Sequence, residues 1–408
     1  MVKDKLKKLW KDYTSFAVSK KKAIIVSAIN AVILTLGTYF MNNLPLLTGE
    51  NLDLYAGLEF VKKHLVNKEY VNDSVLLVNI AYDKQIAKKS INGITVGNTD
   101  VTDRKALIAF LKNLGNIEKE TSNSYRYIFL DVRFEAGVET GCDSLLFEEI
   151  RNTPRIVIAN HSDITLASEI LKEKAAYSDY HITLTANNFV RFQYLREEGE
   201  TMPLQVYREL YKDSIEKYGW FYMCNEGLCH NTHAIGSVLN LEDRQVKDDA
   251  GNVVVEPYYE NLNKINNKAR LKELIKEKYI VVGNLIDDKH GTFYGEIPGS
   301  VLVFSAFWAL KNGDNLVKPW IVVLFLFLFF IISLSLFSRL PIIERISWVR
   351  KTKSKVLRFV ISFLGYSTAI LLTTIVLYLC FGIISSIWVP ALYFSIQKAY
   401  FTYKYIKV

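Results

Sequence analysis

Two sets of residues have types and spacing suited to chemistry. The stretch Cys224-Asn-Glu-Gly-Leu-Cys229-His230-Asn-Thr-His233 gathers two of the four cysteines and two of the six histidines. Thiolates and imidazoles are zinc ligands, but Cys229 and His230 are neighbours and on a strand point to opposite faces. Four ligands in so short a run are also tighter than the usual two-segment zinc site, so no metal and no cofactor are expected. Asn225-Glu-Gly227 is turn chemistry, and its flanks "GWFYM" and "AIGSVL" are apolar and strand-like. Cys224 and Cys229 are therefore expected to face each other across a short hairpin as a disulfide, worth about 2 kcal/mol for so small a loop. Pairing with Cys142 and free thiols are the alternatives.

The second set is acidic. Asp83 follows the apolar run 75–81, Asp131, Arg133 and Glu135 follow 125–132, and Asp287 and Asp288, with His290, follow 279–285. If these runs are parallel strands, their carboxyl ends share one edge, where ligands bind at the point of reversed strand order. The expectation is a small-molecule or cation site there. The competing reading is that strand-to-helix loops use Asp for caps and turns.

The elements that position these residues follow from periodicity. "VLLVNIA" at 75–81, "YRYIFLDV" at 125–132, "RIVIA" at 155–159 and "YIVVGNL" at 279–285 read as buried strands. Between them, Leu107, Phe110, Leu111 and Leu114 mark one helix face, with Asp100 or Thr102 as N-cap, and Asp143–Arg151 forms a second helix. Strands are expected within 182–195 and helices over 203–218, 259–277 and 298–310, with 240–257 a polar loop. Strand, helix, strand, helix, strand implies right-handed crossovers and a mixed, largely parallel sheet.

Around this α/β region the chain segregates charge from apolar residues. Ala23–Phe40, Trp320–Phe337 and 359–397 contain no charge. An 18-residue helix rises about 27 Å, close to the hydrocarbon thickness of a bilayer. The third run is long enough to cross twice, with a turn expected at Tyr378–Gly382, giving a four-helix transmembrane region. Residues 1–40 carry 8 Lys and 2 Asp, and residues 319–408 carry 10 basic residues against Glu344, which leaves 32 basic and 39 acidic residues for 41–318. Basic flanks stay cytoplasmic, so 41–318 is expected outside. The net basicity is then membrane topology rather than a nucleic-acid footprint. No small-residue cleavage pattern follows the first run, so it is expected to remain as an anchor. Ser333, Ser335, Thr373, Thr374, Ser385 and Ser386 lie in the spans and either join helices or bond their own backbone.

No Gly-rich phosphate loop, nucleophile elbow, zinc-protease helix or kinase signature occurs. The cytoplasmic pieces of this sequence are too short for an output domain, and no enzymatic activity is expected.

The order of features resembles the second type of CHASE domain, an extracytoplasmic sensory module with one span before it and three after. "RYIFLDVRFE" at 126–135 followed by Asp143 and Leu146 is similar to that family's Asp-x-x-Phe strand and Asp-x-x-Leu helix. "DVTDRKALIAFLKNL" at 100–114 is similar to its Arg-led helix, with Arg104 matching. Residues 278–310 resemble its closing strand, Asp-containing loop and Pro-Gly helix, with Gly283, Pro298 and Gly299 in register. The family's paired acids in the first strand, its Trp-Pro before the arginine and its output domain are missing.

The expectation is thus a bacterial inner-membrane sensory protein: basic N-terminus 1–22, span 23–40, periplasmic or extracellular domain 41–318, span 319–337, basic loop 338–358, spans 359–378 and 381–397, tail 398–408. Its partners would be the lipid bilayer, an unidentified small-molecule or protein signal and a separate signalling protein, with a homodimer as one possible assembly. The alternative is a scaffold subunit that senses nothing.

Overall fold

A computed structural model describes residues 20–44, 55, 57–61, 70–179, 191–247, 253–265, 267–292, 295–337, 355–381 and 390–398. The chain divides into two compact units, Val66–Leu316 and a second built from Met1–Leu65 with Val317–Val408. The helices, in chain order, are α1 Lys20–Asn42, α2 Arg104–Glu120, α3 Asp143–Asn152, α4 Met202–Tyr211, α5 Lys268–Leu274, α6 Gly299–Lys311, α7 Pro319–Phe337 and α8 Lys355–Phe381.

The unit Val66–Leu316 is built on a sheet of β1 Val75–Asn79, β2 Tyr127–Leu130, β3 Ile156–Asn160, β4 Ala175–Tyr177, β5 Glu260–Asn261 and β6 Tyr279–Gly283. The spatial order is β5-β1-β6-β2-β3-β4, and every neighbouring pair is parallel. Among the described residues, antiparallel ladders lie in smaller two- and three-stranded sheets outside this one.

The strands read as continuous apolar runs because both faces are covered, yet their residues still alternate between two cores. Leu77, Phe129 and Val281 join Leu204 of α4 and Phe304 and Phe307 of α6. Val78, Ile128 and Val282 join Leu107 and Phe110 of α2, Leu146 of α3 and Leu271 of α5 on the other face.

Several boundaries differ from expectation for local reasons. Asp103, rather than Asp100 or Thr102, caps α2, its side chain accepting from the amides of Lys105 and Ala106. Residues 84–102, read as a loop, form a hairpin of Lys84–Ile91 and Ile94–Thr102 around Asn92-Gly93, where both residues take positive φ. Helix α4 stops at Tyr211 because Lys212 adopts the left-handed conformation, and Glu216–Tyr218 is a strand. The expected helix 259–277 contracts to α5, since Glu260–Asn261 pairs with β1 and Leu262–Lys264 forms a 3-10 turn. The polar loop 240–257 holds a hairpin of Arg244–Lys247 and Val253–Glu256; the turn expected at Asp249–Asn252 and most of the expected strands in 182–195 lie outside the described residues.

In the second unit, α1 and α7 pack together, and α7, α8 and the helix 390–398 share one apolar cluster with α1 through Leu34, Phe329, Tyr366, Ile370 and Phe394. Residues 21–42 and 319–337 are long and apolar enough to cross a membrane. Polarity is inverted relative to a water-soluble bundle. Ile25, Ile29 and Ile33 of α1 and Phe327 of α7 face outward, whereas Ser27, Asn30, Ser333 and Ser335 are buried.

Three of these buried groups are bonded across helices: Asn30 donates to Ser333 at 2.7 Å and accepts from the Tyr393 hydroxyl at 2.5 Å, and Ser335 shares a bond of 2.7 Å with Tyr366; the Ser27 hydroxyl has no hydrogen-bond partner. Thr373 and Thr374 instead bond their own backbone four residues back. Ser385 and Ser386 lie outside the described residues. Helix α8 runs unbroken to Phe381, so no turn forms at Tyr378–Phe381. Tyr378 instead accepts an edge contact from Tyr55 and donates to Glu59 at 2.6 Å, which draws part of the expected domain 41–318 into this unit.

Candidate functional site

The strand order places β6, the last strand, between β1 and β2, so the carboxyl edge around β6 is where the winding reverses. The register puts Asn79 opposite Gly283, and the amide of Asp131 donates to the Val282 carbonyl at 2.8 Å. Asn79 is wholly buried and ties this edge together: its Oδ1 accepts from the amides of Ala81 and Leu285, both at 3.1 Å, and its amide group donates to Asn261.

Asp131, one residue beyond β2, is recessed but still reaches solvent. Burial raises its pKa to about 6, the Asp288 carboxylate adds to the rise, and His161 and His290 oppose it. Both imidazoles are held by carboxylates of their own. His161, just after β3, has Nδ1 at 2.9 Å from Asp179, which follows β4. His290 Nε2 lies 2.9 Å from Asp288. Burial works against charge on His161, but the Asp179 hydrogen bond and the nearby Asp131 outweigh it and raise its pKa. Burial likewise disfavours the Asp179 carboxylate, yet His161 and the Ser162 amide hold it at about 2.

The first turn of α6 closes the site. Its amino end has no side-chain cap, and the Gly299 amide donates to the Asp288 carbonyl at 2.9 Å. Two glycines permit this approach. A Cβ on Gly283 would stand 2.6 Å from Ser300 Oγ, and one on Gly299 would stand 2.7 Å from Asp288 Oδ2. Ser300 is buried, and its hydroxyl has no hydrogen-bond partner.

Arg104 positions the loop that carries Asp131. Its side chain is 3% exposed, its Nε lies 3.4 Å from Asp143, its guanidinium sits 4.7 Å over the Phe134 ring, and it donates to the Arg133 carbonyl. Phe134 packs edge-on against Phe147, and Asp143 also accepts from the Thr140 amide and hydroxyl. The Asp-x-x-Phe and Asp-x-x-Leu residues that carry the resemblance thus fix one loop.

Of the six residues expected to bind a ligand, Asp131 and Asp288 meet in this recess, and Arg133 and Glu135 pair with each other on the loop beside it. Asp83 is buried elsewhere; burial and Asp103 raise its pKa, while it accepts from the backbone of Leu262 and Asn263. Asp287 is exposed and closes its own loop with Asn284 and Lys84. Arg133 pairs with Asp163 and Glu135, and Glu135 pairs with Lys89, all half-exposed around the loop after β2. Asp287 serves its own turn, whereas Asp83 is tied to the distant backbone of Leu262 and Asn263, with its Oδ2 lacking a hydrogen-bond partner. His161 and Asp179 were missed because one apolar run was followed no further than its last apolar residue; His161 stands directly behind β3, on the same edge.

Cys224 and Cys229 are not joined by a disulfide in this structure, although their side chains are in hydrogen-bond contact. The two-residue turn pairs Cys224 with Gly227 and Tyr222 with Cys229, so the sulfurs are diagonal neighbours rather than cross-strand partners. Burial first, then the neighbouring Cys224, pushes the Cys229 thiol far above its ordinary pKa. No group of three or more His, Cys, Asp or Glu among the described residues is placed to hold a metal.

Chemically, the Asp131 cluster can hold a proton, donate a hydrogen bond from a neutral Asp131 carboxyl and accept hydrogen bonds at the Asp179 and Asp288 carboxylates. It is not arranged as a nucleophile triad, because Ser178 and Asp179 both approach the same nitrogen of His161, at 3.2 and 2.9 Å. No family model, curated protein or solved structure matches this chain.

Proposed function

We propose that this chain is a multi-pass membrane sensory protein in which residues 41–318 meet an envelope or environmental signal and the helices relay it to a separate partner. The observation that carries the proposal is the Asp131 cluster lodged against the uncapped amino end of α6. Helix α6 leads through only Asn312–Lys318 into α7, an apolar helix long enough to cross a bilayer. A proton or polar ligand gained at Asp131 changes the charge facing the amino end of the α6 dipole, and so biases the helix that continues to the membrane.

Charge segregation along the chain and the outward-facing apolar side chains of α1 and α7 support a bilayer location. The motif resemblance to CHASE domains supports the sensory role. On this reading the chain is not an enzyme, and 359–397 supplies the third and fourth spans.

The test is amide hydrogen exchange of the full chain in lipid nanodiscs between pH 5 and pH 8. Amides of Ser300–Val303 are expected to change protection across this range, beyond the intrinsic pH effect, in the native protein but not in Asp131→Asn. A native α6 indifferent to pH and to small polar ligands would sink the proposal.

A further inference from the structure

The hairpin of Glu216–Tyr218 and Phe221–Cys224 turns at Gly219-Trp220 and presents an aromatic tip. Trp220 is 77% exposed and Tyr218 61%. Aromatic side chains this exposed leave apolar area in water that a neighbouring phase of mixed polarity would cover.

The hairpin is tied to the chain close to α7. Its third strand, Gly227–Cys229, bridges Leu316 through Cys229, and the His230 amide donates to the Asn315 carbonyl at 2.8 Å. Pro319, the first residue of α7, follows three residues later.

Beside the tip lies a cavity of ≈ 900 Å³ whose apolar lining includes Phe221, Met223 and Leu228 and whose cations are Lys212 and Arg208, the latter ion-paired with Glu200 at 2.8 Å. Its two acids are engaged internally, Asp213 by Ser214, Asn225 and Tyr207, and Glu216 by the Tyr218 hydroxyl.

We infer that this hairpin docks on the phospholipid interface, with Trp220 at the headgroup–acyl boundary. Trp and Tyr concentrate at that depth because the ring is apolar and its N–H or O–H still finds water or headgroups. Lys212 on the cavity rim lies where an anionic headgroup sits.

The inference rests on α7 crossing the bilayer, and the test separates the two. The full chain is reconstituted in phosphatidylcholine/phosphatidylglycerol vesicles containing lipids brominated near the glycerol end or near the methyl end of the acyl chain. Quenching assigned to each tryptophan is the signal lost in Trp220→Phe or in Trp320→Phe. Trp220 is expected to be quenched by the shallow bromine, little by the deep one, and to be shielded from aqueous iodide in vesicles but not in detergent. If Trp320 is quenched and Trp220 is not, the hairpin inference fails alone. If neither is quenched, the membrane reading fails and takes the hairpin with it. Shielding of Trp220 in detergent as well would mean that protein, not lipid, covers the tip, and would also overturn the inference.

Discussion

Replacing Asp131 by Asn should stabilise the protein at alkaline pH. The fold raises the Asp131 pKa from 3.8 to about 6, chiefly by burial and then by the Asp288 charge. A raised acid pKa means that the native state favours the neutral form. Its stability contribution is fully present below pH 3.8 and is lost as pH rises through 6. Two pKa units correspond to about 3 kcal/mol. Part of that is returned by the attraction between ionised Asp131 and His161, which the Asn variant forgoes, so the net gain expected at pH 8 is about 1–3 kcal/mol. In a domain of this size that is roughly 2–4 °C per kcal/mol. Thermal unfolding of the full chain in detergent, followed by near-ultraviolet circular dichroism at pH 8 and pH 4.5, should show Asp131→Asn melting higher than the native protein at pH 8 and close to it at pH 4.5. A variant that melts lower at pH 8 would show that the carboxylate stabilises the fold, and the picture of a costly group retained for sensing would be wrong.

Other consequences are simpler. Arg104→Ala should cost roughly 3–5 kcal/mol by leaving Asp143 without its buried cation and Phe134 uncovered, measurable as a lower melting temperature with faster exchange in 131–143. Burial, then Arg191 and His233, depress the His230 pKa to about 3, so its contribution is present above pH 6.5 and lost as pH falls toward 3. Between pH 6.5 and pH 4 the native protein should lose on the order of 2–3 kcal/mol more stability than His230→Gln, read from denaturant midpoints. Under non-reducing conditions a maleimide should label half-buried Cys224 in the folded protein and reach buried Cys229 only after denaturation; peptides joined through 224 and 229 would show that the two thiols are oxidised to a disulfide instead.

Much of the α/β unit was legible because its strands are apolar enough for burial on both faces. The runs at 75–81, 125–132, 155–159 and 279–285 each contain a strand, and Leu107, Phe110, Leu111 and Leu114 do face one core. The hairpin 84–102 was illegible for the opposite reason. Most of its residues are exposed, so burial imposed no alternation, and the Asn92-Gly93 signal stood alone. The register of the Cys224–Cys229 hairpin was not legible either: a turn of two residues rather than four places Cys229 opposite Tyr222 and diagonal to Cys224, still within side-chain contact.

The sequence by itself determined the apolar helices, the segregation of charge and the candidate edge of the sheet, because these depend on local composition and on the fixed periods of helix and strand. Only the tertiary structure decided which acids meet. Asp83, Asp131 and Asp287 look alike along the chain, each following an apolar strand. Inserting β6 between β1 and β2 brings Asp288 and His290 to Asp131, while the following loops take His161 and Asp179 to the same recess, leave Asp83 against the backbone of Leu262 and Asn263, and leave Asp287 in its own turn. Strand order is set by the packing of distant segments, and no local pattern encodes it.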